Sequence, residues 1–250
     1  MNRLATLLFW VFSVACIAGG GSAWAADEKD KVEVITVTAL KRETNLLETP
    51  MAIAAFNGSD LEKNGEAAGL EKFLQFAPGV TVNHSTNGTQ TIYIRGLASA
   101  YGNSPIGFYI DDVPFTSLTT TTVPDVRAWD LERVEVLRGP QGTLYGASSL
   151  GGMIRVLTNN PVLNEFEAKG DFSGSGTDGG GTNYGAKGAV NIPIIDDTLA
   201  LRLSATNEQF PGWITYENPF AGVTKDHYND FRVWTGRAKL LYRINDDGEI

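Results

Sequence analysis

The sequence predicts an α+β domain followed by antiparallel transmembrane β-strands that fall short of a complete barrel, and three observations predict it. From residue 164 onward, apolar and polar residues alternate with period 2 in four segments, each about ten residues long, the length a tilted strand needs to cross a bilayer. Ahead of them, residues 49 to about 160 mix short helical patterns with short strand-like runs bounded by Gly, Pro or Asn. After the first 25 residues no stretch approaches the ~18 uninterrupted apolar residues of a helical span. Membrane residence therefore has to use β-structure, the other way to satisfy every backbone group in hydrocarbon.

The first 25 residues read as an export signal. Arg3 supplies a positive start, Leu4 to Ala18 an apolar run, and Ala23-Trp24-Ala25 a small-x-small cleavage site with Ala25 at the cut. Its removal takes away Arg3 and Cys16 but no acid, so the net charge moves from -9 to -10 and no cysteine remains. An exported chain without cysteine needs no disulfide framework. The acidic balance, 20 basic against 29 acidic residues, argues against nucleic acid as a partner, because phosphate binding needs a basic surface.

Residues 26–48 open on the charged run Asp27-Glu28-Lys29-Asp30-Lys31 and hold one β-prone stretch, Val32 to Ala39. So short a strand, with polar flanks and nothing of its own to pair with, predicts a flexible tail.

In residues 49–161 the elements follow from local chemistry. Met51 to Phe56 reads as a strand, and Ser59-x-x-Glu62 is a capping-box pattern opening a helix that stops near Gly65. Leu70, Phe73, Leu74 and Ala77 at i, i+3, i+4 and i+7 mark a second helix ending at Pro78-Gly79. Strand-like runs follow at 89–95, 107–111, 133–137 and 152–157. The expected core is Leu70, Phe73, Leu74, Ile92, Ile94, Val134, Val136, Leu137, Ile154 and Val156.

In residues 162–250 the alternation sets Phe166, Ala168, Gly170 and Phe172 against Glu165, Glu167, Lys169 and Asp171. Later segments set Leu201 and Leu203 against Arg202, and Trp234, Ala238 and Leu240 against Arg237 and Lys239. Fully charged polar faces suit a wet lumen, and aromatics near segment ends suit interfacial girdles against outer-membrane lipid. The connections alternate too: a Gly-rich loop at 175–183, a tight turn at Asp196-Asp197, a long loop at about 209–230, and a turn at 245–248. Four strands cannot close a barrel, of which the smallest bacterial examples have about 8, so the chain is expected to be the N-terminal part of a longer protein.

Several patterns lead nowhere. Gly174-x-Gly176-x-x-Gly179 has no helix after it and no βαβ unit around it. Gly146-Ala147-Ser148-Ser149 lacks the downstream glycine of a nucleophile elbow. His84 and His227, without a cysteine in the mature chain, make a structural zinc site improbable. The expectation is a protein that is not an enzyme, with no cofactor and no bound metal.

The ordered blocks Ala77-Pro78-Gly79-Val80, Ile92-Tyr93-Ile94-Arg95-Gly96, Tyr109-Ile110-Asp111-Asp112-Val113-Pro114, Arg133 through Gly146 and Gly151 through Val156 give the chain a resemblance. It is similar to the TonB-dependent outer-membrane receptors, over essentially everything after the signal. Glu33-Val34-Ile35-Thr36-Val37-Thr38-Ala39 looks like the TonB box. The resemblance implies a plug domain, residues 49–161, folded inside a 22-stranded barrel of which residues 162–250 form the first four strands. It implies that Val34, Ile35, Thr36, Val37, Thr38 and Ala39 engage the C-terminal domain of TonB, driven by its inner-membrane energising complex. By the same resemblance Arg95 and Arg138 face barrel glutamates beyond this chain and lock the plug. Outward loops at 83–88, 98–104 and 116–122 would meet the substrate, with Asn83, His84, Tyr101, Asn103 and Thr119 as candidate contacts.

The implied function is energised uptake of a scarce bulky nutrient at the outer membrane of a Gram-negative cell, first a ferric siderophore or similar ferric chelate, with cobalamin, haem or glycan as alternatives. Strand addition would give the coupling segment its grip, since backbone pairing tolerates sequence variation and five successive β-branched residues from Val34 to Thr38 favour it. A passive porin or surface adhesin is the competing reading. Neither needs a coupling segment or a plug.

Overall fold

β-Branched runs build the centre of the N-terminal domain. In the computed structural model, which describes residues 36–38, 44–49, 51–64, 69–84, 89–98, 102, 104–115, 121–146, 148–220, 222–245 and 248–249, β9 (Leu131–Arg138) and β10 (Gly152–Thr158) pair antiparallel. β10 also pairs in parallel with β6 (Ile106–Ile110), while β3 (Ile53–Asn57) and the two-residue β7 (Val113–Pro114) form the edges, in the order β3-β9-β10-β6-β7. A second sheet orders β4 (Val80–His84), β5 (Thr89–Ile94) and β8 (Thr122–Pro124). Of these, β4, β7 and β8 carry too little pattern to have been expected.

Among the described residues three short helices complete the domain: α1 (Gly58–Asn64), α2 (Glu71–Leu74) and α3 (Gly142–Tyr145). Leu70, Phe73, Leu74 and Ala77 all enter one buried cluster with Leu61, Ile92, Ile94, Phe108, Val134, Val136, Ile154 and Val156. Each such burial is worth about 1.5–3 kcal/mol for a large aliphatic or aromatic side chain. Leu137 turns the other way, into a smaller cluster with Tyr109, Tyr145 and Met153, because it has the opposite parity from Val134 and Val136 on β9.

The capping-box expectation is corrected. The helix starts at Gly58, and Glu62 reaches away from it to accept the Asp130 N–H at 2.9 Å. Gly58 is required there by close approach: a Cβ would lie 1.8 Å from the Leu131 carbonyl oxygen. A side chain at the helix start would drive α1 off β9.

The period-2 segments form one antiparallel meander: β11 (Glu167–Gly176), β12 (Thr182–Ile195), β13 (Leu199–Phe210), β16 (Phe231–Asn245) and the short β17 (Gly248–Glu249). All four long strands exceed or match the lengths expected from the sequence. Register makes the faces uniform, since Arg202 lies opposite both Asn191 and Lys239 while Leu203 lies opposite Val190 and Ala238. On β13 Ala200, Arg202, Ser204, Thr206 and Glu208 are buried, whereas the other face exposes Phe172, Leu203, Trp234, Leu240 and Tyr242. The polar face is therefore covered by the N-terminal domain instead of lining open water. No described helix is long and apolar enough to cross a membrane.

Inside the long loop lies an unforeseen hairpin, β14 (Tyr216–Asn218) with β15 (Val223–Lys225). Its stem is held by stacked Tyr216 and Tyr228, centroids 4.8 Å apart, and by Asn229, whose side-chain oxygen accepts the Trp213 and Ile214 N–H groups.

Candidate functional site: a latched segment and a charged seam

Of the expected coupling segment Val34–Ala39, the described residues are Thr36, Val37 and Thr38; Val34, Ile35 and Ala39 lie outside them. The expectation that this segment has nothing of its own to pair with is corrected here. β1 (Thr36–Val37) pairs antiparallel with β2 (Thr44–Asn45), and a 3-10 turn follows at Leu46–Glu48, capped by Asn45, which accepts the Leu47 N–H. The missing partner strand was seven residues downstream, too short and too polar to show as a strand in sequence.

Thr38 fixes the end of that segment to the central sheet. Its backbone N–H donates to Glu135 Oε1 at 2.9 Å, and its hydroxyl accepts from Arg133 Nη2 at 2.8 Å and Arg155 Nη1 at 2.6 Å. Glu135 is fully buried; Arg133 Nε reaches it at 2.9 Å and Arg155 Nη1 at 3.6 Å, while Arg155 Nη2 also meets Asp112 at 3.0 Å. Val37 beside it is completely buried. The cluster thus satisfies one neutral residue of the segment with charges that all belong to the domain.

A second constellation joins the domain to the long sheet, and sequence reasoning did not single it out. Asp130, 2% exposed, receives Arg202 Nε at 3.0 Å and Nη2 at 2.6 Å in a forked pair, with Lys169 Nζ at 3.3 Å and Asn159 Nδ2 at 3.0 Å. Glu62 of α1 takes Lys169 Nζ at 2.8 Å, and Asp111 takes Lys239 Nζ at 3.2 Å. Arg237 donates to the carbonyls of Trp129 and Asp130. Higher on the same seam the signs reverse: Arg127 Nε lies 3.1 Å from Glu208 Oε2, while Lys187 Nζ of the same sheet lies 3.3 Å from Glu208 Oε1. Between the two clusters the Trp129 indole N–H donates to the Gly188 carbonyl, with Lys169 over its ring at 5.0 Å.

Burial would push the Asp130 carboxyl up, but the Arg202 fork, the Asn159 amide and the Lys169 charge more than offset it and hold it below the usual carboxylate range. Burial raises both tyrosines of the small cluster, Tyr145 to about 12, where Tyr109 donates its hydroxyl to the Tyr145 carbonyl at 2.7 Å. The sequence did hold one signal for the seam. Lys169, Lys187, Arg202, Arg237 and Lys239 all share the inward parity, an excess of cations that called for buried acids opposite.

Arg95 and Arg138 come to one corner of the domain. Arg95 has a left-handed backbone (φ 53°) and its N–H donates to Gly79 O at 2.7 Å, while Arg138 Nη1 donates to Pro78 O at 3.2 Å. A Cβ at Gly139 would sit 3.8 Å from Arg95 Nη1. Neither arginine meets a carboxylate among the described residues of the long sheet, and the enclosed Arg138 Nε has no hydrogen-bond partner there. Among the candidate substrate contacts, Asn83 and His84 end β4, with Asn83 exposed. Tyr101, Asn103 and Thr119, like Ala25 at the cleavage site, lie outside the described residues.

The family model of the TonB-dependent receptor plug domain matches residues 45–153. The pesticin receptor of Yersinia pestis is 31% identical over 251 residues, covering 98% of this chain and 34% of that protein. The ferrioxamine B receptor of Salmonella typhimurium is 29% identical over 221 residues, covering 80% and 30% respectively. Among solved structures, the ferric yersiniabactin uptake receptor of Yersinia pestis superposes with a TM-score of 0.62 at 28% identity, over 78% of this chain and 29% of that one. The ferripyoverdine receptor of Pseudomonas aeruginosa shares the fold, with a TM-score of 0.65 at 21% identity over 85% of this chain and 26% of that one. The chain spans about a third of the length of the curated relatives it matches. An α+β domain seated by buried charge on the inner face of a lipid-facing meander, together with these likenesses, places the chain in the TonB-dependent receptor family of the Gram-negative outer membrane, as a plug domain and the first strands of its barrel wall.

Proposed function

We propose that this chain is the plug and first wall strands of a transporter that takes up a ferric siderophore or similar iron complex, energised through residues 34–39. The observation that carries the reading is the tethering of that segment to the plug's own central sheet through Thr38, Glu135 and Arg155. A pull on it is delivered straight to the domain that closes the pore. A passive pore or an adhesin has no use for such a connection. TonB, the family's energy-transducing partner, would engage by adding a strand along Val34–Ala39. The iron-complex class is supported by the names of two relatives, a ferrioxamine B receptor and a ferric yersiniabactin uptake receptor.

In the same reading, Arg95 and Arg138 lock the plug against carboxylates of later wall strands, which agrees with the unpartnered Arg138 Nε. Asn83, His84, Tyr101, Asn103 and Thr119 belong to the loops that would meet substrate from outside. The test uses the full-length receptor in a siderophore-deficient, iron-starved strain, supplied with a panel of ferric siderophores. Growth on at least one is expected, and Val37→Pro should abolish that growth while leaving binding of the same complex intact, since proline removes a ladder donor. Normal growth of the proline variant would show that energy does not enter through residues 34–39.

A further inference from the structure

Among the described residues, the outward face of the four long strands carries a single full charge, Arg232, and no Asp or Glu. From the rung of Leu199 and Tyr242 to that of Asn207 and Trp234, every outward residue of β13 and β16 is uncharged. Tyr242 and Trp234 are eight residues apart, about 26 Å of tilted strand, so the two aromatics bracket the apolar band. Arg232 lies one rung beyond Trp234, about 7 Å further toward the long loop, at the depth of lipid headgroups.

An isolated arginine at that depth extends its head toward water. Arg232 does the opposite. Its partner across the ladder is Gln209, yet its Nε donates to Asn207 Oδ1 at 2.9 Å, one rung nearer the apolar band. The exposed guanidinium is thereby turned toward the membrane on a face without a carboxylate. Beside it the Gln209 side-chain oxygen accepts the Tyr184 hydroxyl, which leaves the amide N–H groups to donate. Toward the membrane centre, the outward residues Val190, Leu203, Ala205 and Ala238 line an open groove of about 640 Å³. A cation turned inward at headgroup depth, an amide donor next to it and an apolar groove beneath match one occupant, a phosphate with hydrocarbon attached. Guanidinium and phosphate pair through a fork of hydrogen bonds, and a free phosphate would leave the groove unused.

We propose that Arg232, Gln209 and Asn207 form a headgroup site for a phosphorylated lipid of the outer leaflet. Arg232 and Gln209 donate to the phosphate, Asn207 positions the guanidinium, and an acyl chain lies in the groove beside Trp234. The site needs only the outer-membrane placement of the chain; neither iron uptake nor the coupling segment enters it. The test uses the full-length receptor in a neutral detergent, titrated with diphosphoryl lipid A, with the first lipid to bind followed by native mass spectrometry. Arg232→Gln should weaken its retention on the order of tenfold, the lower end for hydrogen bonds to a charged group. Asn207→Ala keeps the charge but frees the guanidinium, and should weaken retention by less. Lys225→Gln removes an equal charge from the hairpin of the long loop and should change nothing. Lipid A stripped of its phosphates should bind wild type and Arg232→Gln alike, and inorganic phosphate should not displace the bound lipid. Equal retention of diphosphoryl lipid A by wild type and Arg232→Gln overturns the proposal, whichever other group then takes the guanidinium. An equal loss in Lys225→Gln overturns it too, because bulk charge would then hold the lipid, and so does displacement by inorganic phosphate, which would make the occupant a soluble anion.

Discussion

Glu135 and Asp130 are both carboxylates shut away from water, yet they belong to opposite kinds of contact. Glu135 finds Arg133 on its own strand and Arg155 on the neighbouring strand, so its charge is balanced before the coupling segment arrives. Asp130 finds its forked partner on another body, the wall strand carrying Arg202. A buried carboxylate is cheap to keep when its cation shares its rigid element, and it clamps two bodies together when the cation comes from across a boundary. The origin of the counter-charge, more than the number of hydrogen bonds, separates a contact that can open from one that clamps.

The largest effect should come from breaking the clamp. Among the described residues Arg202→Met leaves Asp130 with Lys169 as its only ion-pair partner in place of the fork, at a cost of about 3 kcal/mol, the lower end for a broken buried pair. Plug seating in the full-length receptor should weaken accordingly, read as a lower melting temperature in detergent and as entry of a large antibiotic the outer membrane normally excludes. Thr38→Val should produce no such leak, and a leak of equal size would erase the distinction between the two contacts.

Acid should act on the same clamp with less force. The Asp130 carboxyl is held below its ordinary range in the folded chain, so its stabilisation is fully present above the unfolded value of about 3.9 and is lost as pH falls through the lower folded value. The melting temperature of the intact receptor should therefore drop on acidification below about pH 4, with part of that slope missing in Asp130→Asn. An unchanged slope would mean that other carboxylates carry the acid response.

The smallest effect belongs to the latch. Thr38→Val removes a hydroxyl that Arg133 and Arg155 share, while both keep Glu135, for about 1–2 kcal/mol. A thiol probe at Ile35→Cys should then label on the order of 5–30-fold faster, with iron-complex binding unaltered. No acceleration would show that the backbone bond to Glu135 and the buried Val37 hold the segment by themselves.

By itself the sequence determined the character of the α+β region and of the long strands. Period-2 alternation is a local property, so the four long strands and the parity of Arg202, Arg237 and Lys239 could be read directly, as could the helical stripe of Leu70, Phe73, Leu74 and Ala77. Family blocks of fixed order supplied the plug. Only the tertiary structure decided which charges meet. Asp130 and Arg202 lie 72 residues apart, and Thr38 and Arg155 lie 117 apart. No local pattern encodes such pairs, because a charged side chain is shaped by whichever surface closes over it. The same cause hid the partner of β1 and made Glu62 a seam residue instead of a helix cap: burial, and the need to neutralise charge within it, is fixed when the plug and the wall meet.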